Sequence, residues 1–177
     1  MIIPVIIIYL LAFLERTVLD LGPNVELVTL SMLASGIFLS RNTSLKLTFL
    51  LMAATDLVLG NTRIFLFTWS GFLLPIFILS KLSTMNYKLS ILKITGLGLI
   101  SNLFFYIWTN FGVWALDTWG MYPKTLPGLI DCYLMGLPFL KLQLQSTLVF
   151  VPIGMTSIYV IRKLGSGRYL LKALRLI

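Results

Sequence analysis

Three stretches of this chain, residues 64–80, 94–114 and 142–161, contain no charged side chain. That feature constrains the fold more than any other. In lipid, every backbone N–H and C=O must find its partner inside the protein, which leaves helices and closed barrels as the spanning structures. A barrel strand alternates apolar and polar residues, and these runs do not. A hydrocarbon core about 30 Å thick takes about 20 helical residues, and the runs are close to that length.

Three further apolar segments precede them. The first covers residues 2–19, with Glu15 and Arg16 near its end; the second covers 25–40; the third covers 45–59 and is interrupted by Asp56. Pro75 and Pro152 lie inside the fourth and sixth segments, where neighbouring groups can re-satisfy the carbonyl that a proline frees. The expected fold is therefore an all-α integral membrane protein, a six-helix transmembrane bundle. Residues 115–141, with Gly120, Pro123, Pro127, Gly128, Gly136 and Pro138, read as a re-entrant or interfacial segment between the fifth and sixth spans. A seventh short span over 126–140 is the alternative.

Composition excludes the soluble classes. Of 177 residues, 58% are hydrophobic and 11% charged, against about 25% charged in an ordinary soluble domain. One domain, residues 1–161, is expected, followed by a basic tail, 162–177. The tail's leucines and cations suit either a short amphipathic helix or a solvated anchor. Residues 1–14 are apolar, with neither a basic n-region nor a small-residue cleavage site, so they are expected to remain as a span.

Net charge is +8, from 14 basic and 6 acidic residues. The cations fall mainly between and after apolar runs, which points to anionic lipid headgroups rather than nucleic acid. With six spans and both termini cytoplasmic, Arg41, Lys46, Lys81, Lys88, Lys93, Arg162, Lys163, Arg168, Lys172 and Arg175 lie inside. Lysine and arginine set orientation, and all six acidic residues then fall toward the outer side. A seventh span would carry the five tail cations outside. With no histidine and a single cysteine, Cys132, zinc, haem and Cys–His or Ser–His catalysis lack ligands and bases. No enzyme activity, cofactor or metal is expected.

Polar groups inside spans are costly and often functional. Asp56 could serve a ligand, with Arg16 at the same depth, or hold helices together through an ion pair. Asn102, Tyr106 and Asn110 are spaced i, i+4, i+8 and share a helix face; they could read a polar ligand or bond neighbouring helices. Trp108, Trp114, Trp119 and Tyr122 crowd one membrane edge, as an aromatic belt or as a lid over a flat ligand. Trp69 reads as packing. Ser31 and Ser35 form a small-xxx-small pair for internal packing or for docking a partner, and Gly96 and Gly98 read the same way.

Several strings occur together: Pro23-Asn24, Thr55-Asp56 with Gly60, Asn110-Phe-Gly-Val-Trp114, and Tyr122-Pro-Lys-Thr125 before Gly128. In this order they resemble a bacterial family of small multi-span membrane proteins of unknown function, over residues 10 to 160. That family is similar in turn to the substrate-binding S subunits of energy-coupling-factor transporters. This resemblance implies a six-helix inner-membrane protein that captures a vitamin-like molecule near the outer face and works with two ATPases and a coupling subunit. Those subunits dock through an alanine motif on the first span, where this chain has Ala12 alone.

The expected function is a substrate-binding membrane protein for uptake of a small water-soluble metabolite. Arg16 and Asp56 would supply charge, Asn102, Tyr106 and Asn110 hydrogen bonds, and Trp114 and Tyr122 a lid. The alternative is a non-transporting scaffold of a cell-envelope assembly, held to its partner through Ser31 and Ser35.

Overall fold

A computed structural model describes residues 2–19, 21–60, 63–84, 89–116 and 120–165. They form six helices: α1 (Ile2–Leu14), α2 (Val28–Phe38), α3 (Arg41–Leu59), α4 (Phe65–Thr84), α5 (Ile91–Leu116) and α6 (Leu126–Gly165). A π-helical turn, Glu15–Leu19, continues α1. Among the described residues there is no strand. Three helical stretches are long and apolar enough to cross a membrane: Ile2–Leu19, Ile91–Leu116 and Leu126–Leu164.

The second apolar segment departs from the expected span. Helix α2 has 11 residues, about 16 Å at 1.5 Å per residue, too short to cross alone. It packs against all five other helices, and every residue from Val28 to Gly36 is buried. Its segment is apolar because it is the centre of the bundle. A turn precedes it, with Asn24 at φ 59° and Val25 N–H donating to Gly22 O.

The segment 115–141 is the larger correction. Its second half is not re-entrant; it is the start of α6, a continuous 40-residue helix that also contains the sixth apolar run. The residues that suggested a break are those that begin a helix. Thr125 Oγ1 accepts from Gly128 N–H at 3.3 Å, and Leu129 N–H donates to Thr125 O. Pro127 sits in the first turn, where a missing N–H costs nothing. Pro138 and Pro152 lie within the helix, and each removes one backbone bond. The basic tail beyond Gly165 lies outside the described residues, as do Asp117 and Trp119.

Helices α5 and α6 form an antiparallel hairpin. Asn102 lies opposite Gln143 and Thr147, and Tyr106 opposite Tyr133. Near its connected end the two helices come very close, and a methyl group at Gly136 would sit 2.5 Å from Asn110 Oδ1. The core centres on Val5, Met32, Leu33, Met52, Ile76 and Met155. On α1 the outward face is apolar too, with Ile3, Ile7, Leu10 and Leu14 exposed, as a helix between a bundle and lipid should be.

Candidate functional site

Three buried polar groupings organise the interior. At the first, the Tyr9 hydroxyl bridges Ser35 Oγ (2.8 Å) and Thr48 Oγ1 (2.7 Å), tying α1 to α2 and α3. Ser31 donates to Leu27 O at 2.9 Å. Ser31 and Ser35 are both fully buried. The small pair thus lets α1 and α2 approach each other and is not presented to a partner. Gly98 does the same on α5: a methyl there would meet Thr147 Cγ2 at 2.9 Å.

At the second, Asp56 is buried at the end of α3. Its Oδ1 accepts from Arg16 at 3.3 Å, and its Oδ2 accepts from Trp69 Nε1 at 2.7 Å. Arg16 Nε also donates to Thr55 Oγ1 at 3.2 Å. Of the two readings of Asp56, the ion pair is what the geometry holds. Trp69 is more than packing, since its indole N–H completes the carboxylate.

At the third, Glu26 lies before α2 and is buried. Its carboxylate accepts from Thr29 N–H (3.1 Å) and the Thr29 hydroxyl (2.6 Å), so it neutralises the helix's unpaired amides. The same hydroxyl reaches Asn102 Oδ1 at 2.9 Å. Asn102 Nδ2 donates to Gln143 O and Thr147 Oγ1, and Ser146 donates to Glu26 O. Both N–H groups of the Asn102 amide are thereby spent between helices, and its Oδ1 shares the single Thr29 hydroxyl proton with Glu26.

Above these groupings lies a cavity of about 1090 Å³ walled by α3, α4, α5, α6 and the turns at Arg16–Asn24 and Met121–Tyr122. Its apolar wall includes Met52, Phe72, Phe105, Met135 and Phe139; its polar wall includes Arg16, Thr109, Asn110, Tyr122 and Asp131. A smaller cavity of about 180 Å³ shares Arg16, Asn24, Phe72 and Phe105 with it and reaches Glu15, Glu26 and Gln143. Asn110 Nδ2 donates back to Tyr106 O at 2.8 Å, leaving Oδ1 beside Gly136 and Cys132. Burial, then Cys132 and Asp131 nearby, push the Tyr122 phenol above its usual range, so it remains a hydrogen-bond donor at neutral pH.

The expected site residues therefore divide. Arg16, Asn110 and Tyr122 line one cavity. Asp56 stands behind Arg16. Asn102 serves the helix interface, and the Tyr106 hydroxyl donates to Tyr133 O at 2.6 Å. Trp114 is no lid: its Nε1 donates to Pro123 O at 3.0 Å, and Lys124 caps the end of α5 through Trp114 O and Ala115 O. Trp108 donates to Ser70 Oγ. Sequence reasoning missed Thr68, Phe72, Phe105, Met135 and Phe139. Read as a helix, 126–140 would have shown Asp131 and Met135, and Cys132, Gly136 and Phe139, at i, i+4 and i, i+4, i+7. Among the described residues no group of three or more His, Cys, Asp or Glu could hold a metal ion.

The fold and cavity define an all-helical protein with membrane-spanning capacity and an open cavity at one end of its bundle. The chain belongs to a family of unknown function (DUF6580), which it matches over residues 1–166. No curated protein and no solved structure matches it.

Proposed function

We propose that this chain is a multi-pass cell-membrane protein that binds a small water-soluble metabolite in the cavity between α3 and α6 for uptake. The observation that carries this reading is the cavity. Ligand pockets are concave, mostly apolar, about 300–1,000 Å³ in volume, and furnished with a few convergent polar groups. A chamber of about 1090 Å³ with Arg16, Thr109, Asn110, Tyr122 and Asp131 on otherwise apolar and aromatic walls fits that description. Phe72, Phe105 and Phe139 add aromatic surface to the wall, and Asn110 and Tyr122 supply an amide and a phenol to orient a ligand.

The rival reading, a scaffold docked through Ser31 and Ser35, has less to draw on, because both serines are spent inside the chain. Uptake driven by ATP would need partner subunits, since no phosphate-binding loop is present in the sequence.

The test is thermal unfolding of the purified full chain in lipid nanodiscs, screened against fractions of a water-soluble metabolite extract. A fraction should raise the midpoint for wild type and fail to do so for Asn110→Ala and Tyr122→Ala at unchanged basal stability. If every active fraction acts equally on wild type and both variants, the cavity is not the site. If no fraction acts, the binding reading fails.

A further inference from the structure

At the opposite end of α3 and α4 lies a second groove, of about 610 Å³, with no carboxylate in its lining. Arg41 and Lys81 line it together with Ser40, Asn42, Ser80 and Phe77. The Arg41 guanidinium lies 5.7 Å from the centre of the Phe77 ring, and stacking of that kind fixes a planar cation in place. The groove also takes in the start of α3. Ser40 Oγ accepts from Thr43 N–H at 3.3 Å, while the first-turn amides of Arg41 and Asn42 have no carbonyl to reach within the helix. The Ser80 hydroxyl is spent on Phe77 O at 3.0 Å, so two cations, the Asn42 amide and a helix N-terminus are what converge here, and that is the chemistry that receives a phosphate.

The groove opens onto apolar surface. Phe49 and Leu50 on α3 and Leu74, Phe77 and Ile78 on α4 are 45–64% exposed and continue from it along the same two helices. The nearest acidic residue on α3, Asp56, is 15 positions on, about 22 Å away along the axis. A free phosphate would use the cations and leave the apolar strip unexplained. A phospholipid uses both.

We propose that this groove binds the phosphate headgroup of an anionic phospholipid whose acyl chains lie along the exposed face of α3 and α4. Arg41 and Lys81 hold the phosphate, and the neutral polar side chains accommodate the headgroup alcohol. The site is separate from the cavity between α3 and α6 and does not depend on what that cavity takes.

The test is native mass spectrometry of the full chain in mild detergent with equimolar dioleoylphosphatidylglycerol and dioleoylphosphatidylcholine. Each cation near a headgroup is worth about fivefold in preference, so the wild type should retain the anionic lipid by at least that factor. The Arg41→Gln/Lys81→Gln double variant should bind the two lipids almost equally, Arg41→Lys should keep most of the preference, and Lys141→Gln, away from the groove, should keep all of it. Both substituted groove residues are exposed, and unchanged thermal midpoints would show that the fold persists. Equal retention by wild type, or an undiminished preference in the double variant, overturns the proposal. Displacement of the lipid by an equal concentration of glycerol 1-phosphate would also overturn it, because the site would then read phosphate alone.

Discussion

Replacing Asp56 by alanine should destabilise the protein more than any other single change at this end of α3. The carboxylate side chain is 4% exposed and that of its partner Arg16 18%. Asp56 also receives the Trp69 indole N–H at 2.7 Å. Without it, Arg16 keeps Thr55 as a neutral acceptor, and its charge stays in a poorly solvated place. Breaking a buried pair from one side costs about 3–5 kcal/mol; the exposure that remains to Arg16 argues for about 3 kcal/mol. The remedy discriminates the cause. Arg16→Met with Asp56→Leu removes both charges, and buried pairs replaced by apolar residues of similar size are often neutral. The double variant should recover most of the loss and fall short by about 1–2 kcal/mol, the cost of an unpaired indole N–H. Adding Trp69→Phe should close that gap. Reversible unfolding in mixed lipid–detergent micelles measures all four proteins. If Asp56→Ala unfolds within about 0.5 kcal/mol of wild type, the ion pair is not what holds these helix ends, and Asp56 returns as a candidate ligand group.

Other substitutions probe the rest of the interior. Asn102→Ala should cost about 1–3 kcal/mol in the same assay, because Thr147 loses the Asn102 N–H it accepts, and should leave ligand-induced stabilisation intact. Gly136→Ala places a methyl against Asn110 Oδ1 and should cost about 1–3 kcal/mol by overpacking while weakening metabolite binding, as read by the nanodisc thermal shift. Tyr122 gives a pH dependence. Its folded-state pKa is raised, so above the ordinary tyrosine value of about 10 the unfolded chain loses a proton that the folded chain retains. The stability contribution is full below pH 10 and declines above it, and Tyr122→Phe should flatten that decline in a pH series of unfolding midpoints.

The helices were legible because charge-free runs admit few solutions, and all six expected segments recur as helices with shifted ends. What misled was the reading of Pro127 and Gly128 as breakers. The same two residues follow a capping threonine, and only the hydrogen bonds from Gly128 and Leu129 to Thr125 distinguish a helix start from a broken span. Helix α2 was mistaken for a span for a different reason: a segment buried among five helices and a segment buried in lipid have the same composition. The polar residues were legible as a set but not in their roles. Asp56, Asn102 and Asn110 are all polar residues within apolar segments, and sequence cannot say that Asn102 faces Gln143 and Thr147 whereas Asn110 lines a cavity. Glu26 escaped notice because it precedes its helix, and its role as the anion at an otherwise unpaired helix start needs the Thr29 contacts to be seen.

The length of α6 sets where the cavity sits in a bilayer. Forty residues make a helix about 60 Å long, and crossing helices tilt by about 40° at most. At that tilt a 30 Å core accommodates about 39 Å of helix, or roughly 26 residues, so about 14 must stand outside the hydrocarbon. The expected overhang is the end that carries Asp131, beside the cavity and the polar turn at Tyr122–Thr125, although Leu126, Ile130, Leu134 and Met135 are exposed there. The other half packs along α2, from Glu26–Ser146 to Phe38–Tyr159, inside the bundle's apolar girth. A ligand would then enter from the aqueous side without crossing lipid. Single cysteines in a Cys132→Ser background test this placement in intact vesicles. Ile130→Cys, 49% exposed, should react with a membrane-impermeant maleimide, and Ile153→Cys, 61% exposed, should not. Protection of both positions would put the connected end of the hairpin in lipid and deny the cavity its route to water.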